Sequence, residues 1–224
     1  MSTVPIRVFI ADDHALIRQG IKRIIEFESD IAVVGDAANG KLALDEVMHL
    51  KPDVILLDFH MPDMTGLEVL KAMKEEALSS KAIMLTVADD RKTLLECIQF
   101  GAEGYILKDS DTVDIVSAIR EVFRGESYID KRLVKLLVET FTDHSDEEEA
   151  DDKFAELTER ELDVLGCISE GMTNREVAST LFLSEKTVKN YASSLFRKLG
   201  VKDRVQATLY AINNNLKEYL RKNN

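Results

Sequence analysis

Val54-Ile55-Leu56-Leu57-Asp58 is a run of four apolar residues closed by a carboxylate. The same phrase recurs through the first part of the chain: Ile6–Ala11 runs into Asp12-Asp13, Ala82–Leu85 into Thr86, and Tyr105–Leu107 into Lys108, with Ile31–Val34 as a fifth apolar run. Runs this short and apolar suit strands covered on both faces. Helix-period segments lie between them, with Leu16, Gly20, Ile24 and Phe27 in the first and Val113, Val116, Ile119 and Phe123 in the last. Five strand-helix repeats predict an α/β fold, a five-stranded doubly wound parallel sheet.

In such sheets the working crevice opens at the carboxyl ends of the strands, where strand order reverses. The polar residues fall at those ends: Asp12 and Asp13 after the first strand, Asp58 after the third, Thr86 after the fourth, Lys108 after the fifth. Three carboxylates brought together repel one another and call for a cation, and oxygen ligation favours a hard one such as Mg²⁺. A hydroxyl and an ammonium in the same crevice can hold the oxygens of a phosphoryl group.

Ala11-Asp12-Asp13, Asp58-Phe-His-Met-Pro-Asp-Met-Thr-Gly66, Leu85-Thr86 and Gly104-Tyr-Ile-Leu-Lys108 together resemble the receiver-domain signature, over roughly residues 4 to 130. The resemblance implies that Asp58 is the phosphoacceptor. It makes Asp13 the direct metal carboxylate with Asp12 beside it, and the His60 backbone carbonyl a further ligand of Mg²⁺. Thr86 and Lys108 would contact the phosphoryl oxygens, and Tyr105 would change rotamer as the switch is thrown. Asp109 stands where many receivers have proline. His60 stands where haloacid-dehalogenase-like hydrolases carry an acid/base aspartate, which disfavours turnover of metabolites.

The whole chain of 224 residues carries a net charge of −12, which on its face disfavours nucleic acid as a partner. Counted by region, residues 1 to 130 hold 14 basic and 24 acidic groups, net −10, whereas residues 156 to 224 hold 11 and 9, net +2. Residues 184 to 204 alone hold six cations against two anions, net +4. An acidic part precedes one with a basic stripe. Between them Asp143-His-Ser-Asp-Glu-Glu-Glu-Ala-Asp-Asp152 is a self-repelling run that reads as a flexible linker. The expected division is a receiver over 1–130, a linker over 131–153 and a DNA-binding domain over 154–224. Cys97 and Cys167 form no ligand cluster, and no apolar run approaches a membrane span, so a reducing cytoplasmic setting without membrane insertion is expected.

In the last part, Thr158-Glu-Arg-Glu161 and Thr173-Asn-Arg-Glu176 are capping boxes, Gly171 is a left-handed helix stop, and Ser184 caps a further helix. From Glu185 to Leu199, Val188, Ala192, Leu195 and Leu199 make one apolar stripe, while Lys186, Asn190, Ser193 and Arg197 centre on the opposite face with Thr187 and Lys189 at its margins. A helix fits the major groove, where lysine and asparagine read base edges.

Leu157-Thr-Glu-Arg-Glu-Leu162, Glu170-Gly-Met-Thr-Asn-Arg-Glu-Val-Ala178, Ser184-Glu-Lys-Thr-Val-Lys-Asn190 and Leu199-Gly-Val201 closely resemble the LuxR-type helix-turn-helix, and the whole chain resembles a NarL/FixJ-type response regulator. That resemblance implies an all-α four-helix DNA-binding domain with DNA contacts from Lys186, Thr187, Lys189, Asn190, Tyr191 and Arg197, Tyr191 standing where relatives often have histidine. The last helix, about Asp203 to Asn215, would serve dimerisation, its stripe of Leu209 and Ile212 continuing into Leu216 and Leu220. The implied partners are a sensor histidine kinase, double-stranded promoter DNA and a second copy of the chain, for a signalling phosphoacceptor rather than an enzyme.

Overall fold

The computed structural model describes residues 4–87, 91–135 and 153–223, in two compact units over residues 1–128 and 129–224. The acidic run from Asp143 to Asp152 lies outside the described residues.

In the first unit strands and helices alternate: β1 (Ile6–Ala11), α1 (Ala15–Glu26), β2 (Ile31–Ala37), α2 (Gly40–Leu50), β3 (Val54–Asp58), α3 (Gly66–Glu75), β4 (Lys81–Thr86), α4 (Arg91–Gln99), β5 (Gly104–Leu107), α5 (Thr112–Phe123) and β6 (Tyr128–Ile129). The sheet order is β2-β1-β3-β4-β5-β6, and the pairs β1/β2, β1/β3, β3/β4 and β4/β5 are all parallel. The five expected strands are thus joined at one edge by a sixth, two-residue strand. The order in which strands are added changes side between β1 and β3, and the registers Ala11↔Leu57, Asp58↔Leu85 and Thr86↔Leu107 bring the carboxyl ends of β1, β3, β4 and β5 abreast.

Every residue of β3 is buried, as expected of a central strand with helices on both faces. Its Val54 and Leu56 side chains enter a core with Val8, Ile10, Ile83, Leu85, Ile106, Ile119 and Val122. Burying each large aliphatic side chain contributes about 1.5–3 kcal/mol.

The helical stripes expected from periodicity are partly displaced. In α1, Ile21 and Ile25 are buried with Ile17 and Ile24 packed beside them, while Leu16 and Phe27 are exposed. In α5, Val116 and Ile119 face the core together with Ile115, Ala118 and Val122, and Val113 is exposed.

The second unit holds α6 (Glu159–Ser169), α7 (Asn174–Leu181), α8 (Glu185–Leu199), α9 (Arg204–Asn213) and α10 (Leu216–Asn223). Both capping boxes form, Thr158 with Glu161 and Thr173 with Glu176, and the Ser184 hydroxyl accepts from the Thr187 N–H at 3.1 Å. Gly171 closes α6 with φ 77° and Gly200 closes α8 with φ 72°. The helix expected from about Asp203 to Asn215 stops at Asn213. Asn215 then takes φ 50°, and Leu216 starts a fifth helix whose Leu216 and Leu220 pack on the unit's own core. Of that stripe Leu216 alone is buried, and Leu209, Ile212 and Leu220 are half-buried.

Glu161 ties α6 to α8. Its carboxylate accepts from the Thr158 N–H at 2.8 Å and from Lys198 Nζ at 2.7 Å. Burial pushes this carboxyl up, but hydrogen bonds from Lys198, Ser194 and Thr158 outweigh it and hold the pKa down at about 2, against an ordinary 4.5. A carboxyl depressed in the folded state stabilises fully above the unfolded pKa, so this contribution is complete above pH 4.5 and is lost as the pH falls toward 2. Glu161→Gln is expected to destabilise the helical unit by about 1–2 kcal/mol at pH 7 and to flatten the acid limb of its stability. Urea titrations of the full chain between pH 7 and 3, followed by helix signal, test this; an unchanged acid limb contradicts it.

Candidate functional site

The crevice at the carboxyl ends of β1, β3 and β5 holds the first constellation. Asp12 and Asp58 are fully buried, and Lys108 Nζ lies 2.9 Å from Asp12 Oδ2 and 2.7 Å from Asp58 Oδ2. Backbone donors hold the other oxygens: the His14 N–H donates to Asp12 Oδ1 at 2.7 Å and the His60 N–H to Asp58 Oδ1 at 3.2 Å. Burial pushes the Asp58 carboxyl up, Lys108 opposes this, and the Asp12 charge adds to it; the net shift is upward. Burial would lower the Lys108 ammonium, but its bonds to Asp58 and Asp12 keep its pKa raised.

Asp13 is at the crevice mouth, with His14 Nδ1 2.5 Å from its carboxylate. Ligand atoms of Asp12, Asp13, His14 and Asp58 all lie within 4.8 Å of one another. Asp12 Oδ2 and Asp58 Oδ2 meet Lys108 as ion pairs, and a carboxylate oxygen has a second lone pair with which to bind a cation. Three carboxylates gather where one ammonium pairs with two of them, a charge deficit and a donor set that fit a hard divalent cation such as Mg²⁺.

Thr86 ends β4, buried, its hydroxyl donating to the Val87 carbonyl at 3.2 Å. Tyr105 points inward from β5 and donates to the Cys97 carbonyl at 2.9 Å. His60 is exposed, its ring edge-on to Phe59 at 4.9 Å. The structure therefore gathers Asp12, Asp13, Asp58 and Lys108 directly and lines Thr86 up with them by strand register.

Sequence reasoning gave no role to three residues here. His14 follows the Asp12-Asp13 pair, and that adjacency was its signal. Arg18 donates to the Asp12 carbonyl at 2.6 Å and to Asp36 at 3.0 Å, fixing α1 against the loop. Gly66 starts α3 so close to β3 that a Cβ there would stand 2.1 Å from the Asp58 carbonyl oxygen.

The second constellation is the face of α8. Val188, Ala192, Leu195 and Leu199 are buried, as the stripe predicted. Lys186, Lys189, Asn190, Ser193 and Arg197 are exposed; Thr187 is half-buried with its hydroxyl 2.8 Å from that of Ser184, and Tyr191 packs against the unit's own core. The basic stripe is narrower than the count over residues 184 to 204 suggests. Lys198 turns to Glu161, and Arg204 is buried, donating to Asn174 Oδ1 at 2.7 Å and to the Met172 carbonyl.

Comparison with known proteins follows the same two-part division. Residues 8–120 match the response regulator receiver domain, and residues 155–211 match the bacterial regulatory proteins of the luxR family. The oxygen regulatory protein NreC of Staphylococcus aureus is 38% identical over 216 residues, covering 95% of this chain and 100% of the relative. The chain is a response regulator of the LuxR family.

Among solved structures, this response regulator resembles ChrA of a heme-sensing two-component system, with TM-score 0.55 and 28% identity over 96% of this chain and 100% of that one. It likewise resembles the response regulator RcsB in a DNA complex, with TM-score 0.56 and 26% identity over 93% and 98% of the two chains. The receiver is its first unit and the DNA-binding domain lies in its second. No helix of the described residues is long and apolar enough to cross a membrane.

Because α3 of this regulator starts against the Asp58 carbonyl, Gly66→Ala is expected to displace that backbone and to cost about 1–3 kcal/mol by overpacking. Urea denaturation of the full chain checks the stability, and a wild-type midpoint contradicts the close approach.

Proposed function

We propose that Asp58 accepts a phosphoryl group from the phosphohistidine of a sensor kinase. An Asp58 carboxylate oxygen forms the new P–O bond as the P–N bond breaks, and the electron pair stays on the departing imidazole nitrogen, which then binds a proton. Asp12, Asp13, Asp58 and the His60 carbonyl would hold Mg²⁺, which supplies positive charge against the phosphoryl oxygens. The added charge of about −2 gives Lys108 a stronger partner than the carboxylates it bridges, and the Thr86 hydroxyl a group to donate to. Movement of Thr86 would leave room for Tyr105 to change rotamer. The observation that carries this reading is the Lys108 ammonium between the buried Asp12 and Asp58 at the sheet's switch point.

The output is promoter DNA bound by α8. Lys186, Lys189 and Asn190, exposed near its capped start, would enter the major groove with Thr187 at their margin, Arg197 would meet phosphate, and Tyr191 would act from the rim. We assign residues 1–130 to the receiver, 131–153 to the linker and 154–224 to the DNA-binding domain. Phosphorylation would favour a homodimer on paired half-sites about one DNA turn apart. Exposed Phe27 and Val113, lining one groove between α1 and α5, offer apolar surface for a second copy. The protein would act in the cytoplasm, where its DNA is, as a stoichiometric phosphoacceptor and not as a metabolic enzyme.

Asp58→Ala is expected to abolish labelling by radioactive acetyl phosphate, and undiminished incorporation overturns the assignment of the acceptor. Lys189→Ala is expected to weaken DNA binding and to lower the slope of log affinity against log salt by about 1. A salt titration with the variant's slope equal to the wild type's rejects a phosphate contact there.

A further inference from the structure

Four helices of the second unit run into a residue in the left-handed region, and they do so with different residues, Asn215 following α9. Gly171 closes α6 and Gly200 closes α8, but α7 closes on Phe182 at φ 57° and ψ 44°. This position favours glycine or asparagine, because a Cβ there crowds the backbone. The phenylalanine gains no packing in exchange: it is 95% exposed, whereas Leu181 and Leu183 on either side pack against the core. The turn would hold with a smaller residue, since its closure is a backbone bond from the Leu183 N–H to the Ala178 carbonyl at 2.8 Å. A strained, wholly exposed aromatic ring that does nothing for its own fold points outward to a partner.

We propose that Phe182 is a DNA-contact residue whose ring lies against deoxyribose at the edge of the major groove entered by α8. The inference rests on reading α8 as the DNA-binding helix, and continuity favours DNA over a protein partner. Phe182 stands two residues before the Ser184 cap, and the first exposed cation, Lys186, follows within one turn. A duplex seated on Lys186 and Lys189 passes beside this turn. There an uncharged ring covers the apolar sugar face and shields neighbouring phosphate contacts from water. Such a contact adds affinity without reading sequence and releases no counterions.

The test uses the full-length protein loaded with Mg²⁺ and beryllofluoride, and a duplex that this form selects from a random-sequence pool. Phe182→Gly and Phe182→Asn are expected to keep or raise the melting temperature, because both residues accept the left-handed conformation. They are expected to weaken binding about five- to tenfold per half-site, equally on the selected and an unrelated duplex, with the wild-type salt slope. Lys189→Ala, measured alongside, is expected to lose both affinity and slope. Affinities of both Phe182 variants within about twofold of wild type, whatever transcription does, overturn the proposal, as does a melting temperature lowered in both. If Lys189→Ala is also without effect, it is the reading of α8 that fails.

Discussion

One ammonium bridging two fully buried carboxylates is the constraint on which the receiver depends. Lys108 reaches Asp12 and Asp58 from the end of a strand two places removed from β3 in the sheet. It can do so only because the parallel registers bring the strand ends abreast. Burying two carboxylates side by side without a cation would be costly. A pocket with three carboxylates and one ammonium remains short of positive charge, a deficit that fits a hard divalent cation. The same arrangement makes it sensitive: any new anion on Asp58 competes for Lys108, so the ion pair holding the resting pocket is the one that phosphorylation would redirect.

The DNA-binding unit solves a different problem, that of holding short helices at fixed angles. Its means are local at the helix starts and long-range at their ends. Two capping boxes and a serine cap satisfy the N–H groups that open α6, α7 and α8. Glu161 serves both purposes, capping α6 and binding Lys198 near the end of α8. Buried Arg204 joins the start of α9 to the loop before α7 through Asn174 and the Met172 carbonyl. These contacts position the exposed face of α8 while Val188, Ala192, Leu195 and Leu199 anchor the other.

Much of this was legible in the sequence, and the parts that were not share a cause. Strand ends, capping boxes and the Val188 stripe follow from spacing alone, because each depends on residues within one or two turns of one another. Phase in α1 did not, since Leu16, Gly20, Ile24 and Phe27 compete with Ile17, Ile21, Ile24 and Ile25 for the buried side, and only the neighbouring sheet decides between them. Arg204 and Lys198 entered the basic count over residues 184 to 204 although both are tied inside the unit, because their partners, Asn174 and Glu161, lie 30 and 37 residues away along the chain. The break before Leu216 was hidden for the same reason: three asparagines tolerate a turn, but it is the core that draws Leu216 inward. The strain at Phe182 is a backbone quantity, and no residue pattern around it announces a positive φ.

The central claim is that charge added at Asp58 is felt at α8. The most direct measurement is the operator affinity of one full-length preparation before and after beryllofluoride with Mg²⁺, which mimics the acyl phosphate at fixed protein composition. The account predicts tighter binding in the loaded state and no change when Asp58 is replaced by alanine. Equal affinity of the wild type in both states would contradict it, leaving a DNA-binding protein whose receiver pocket has no influence on its output.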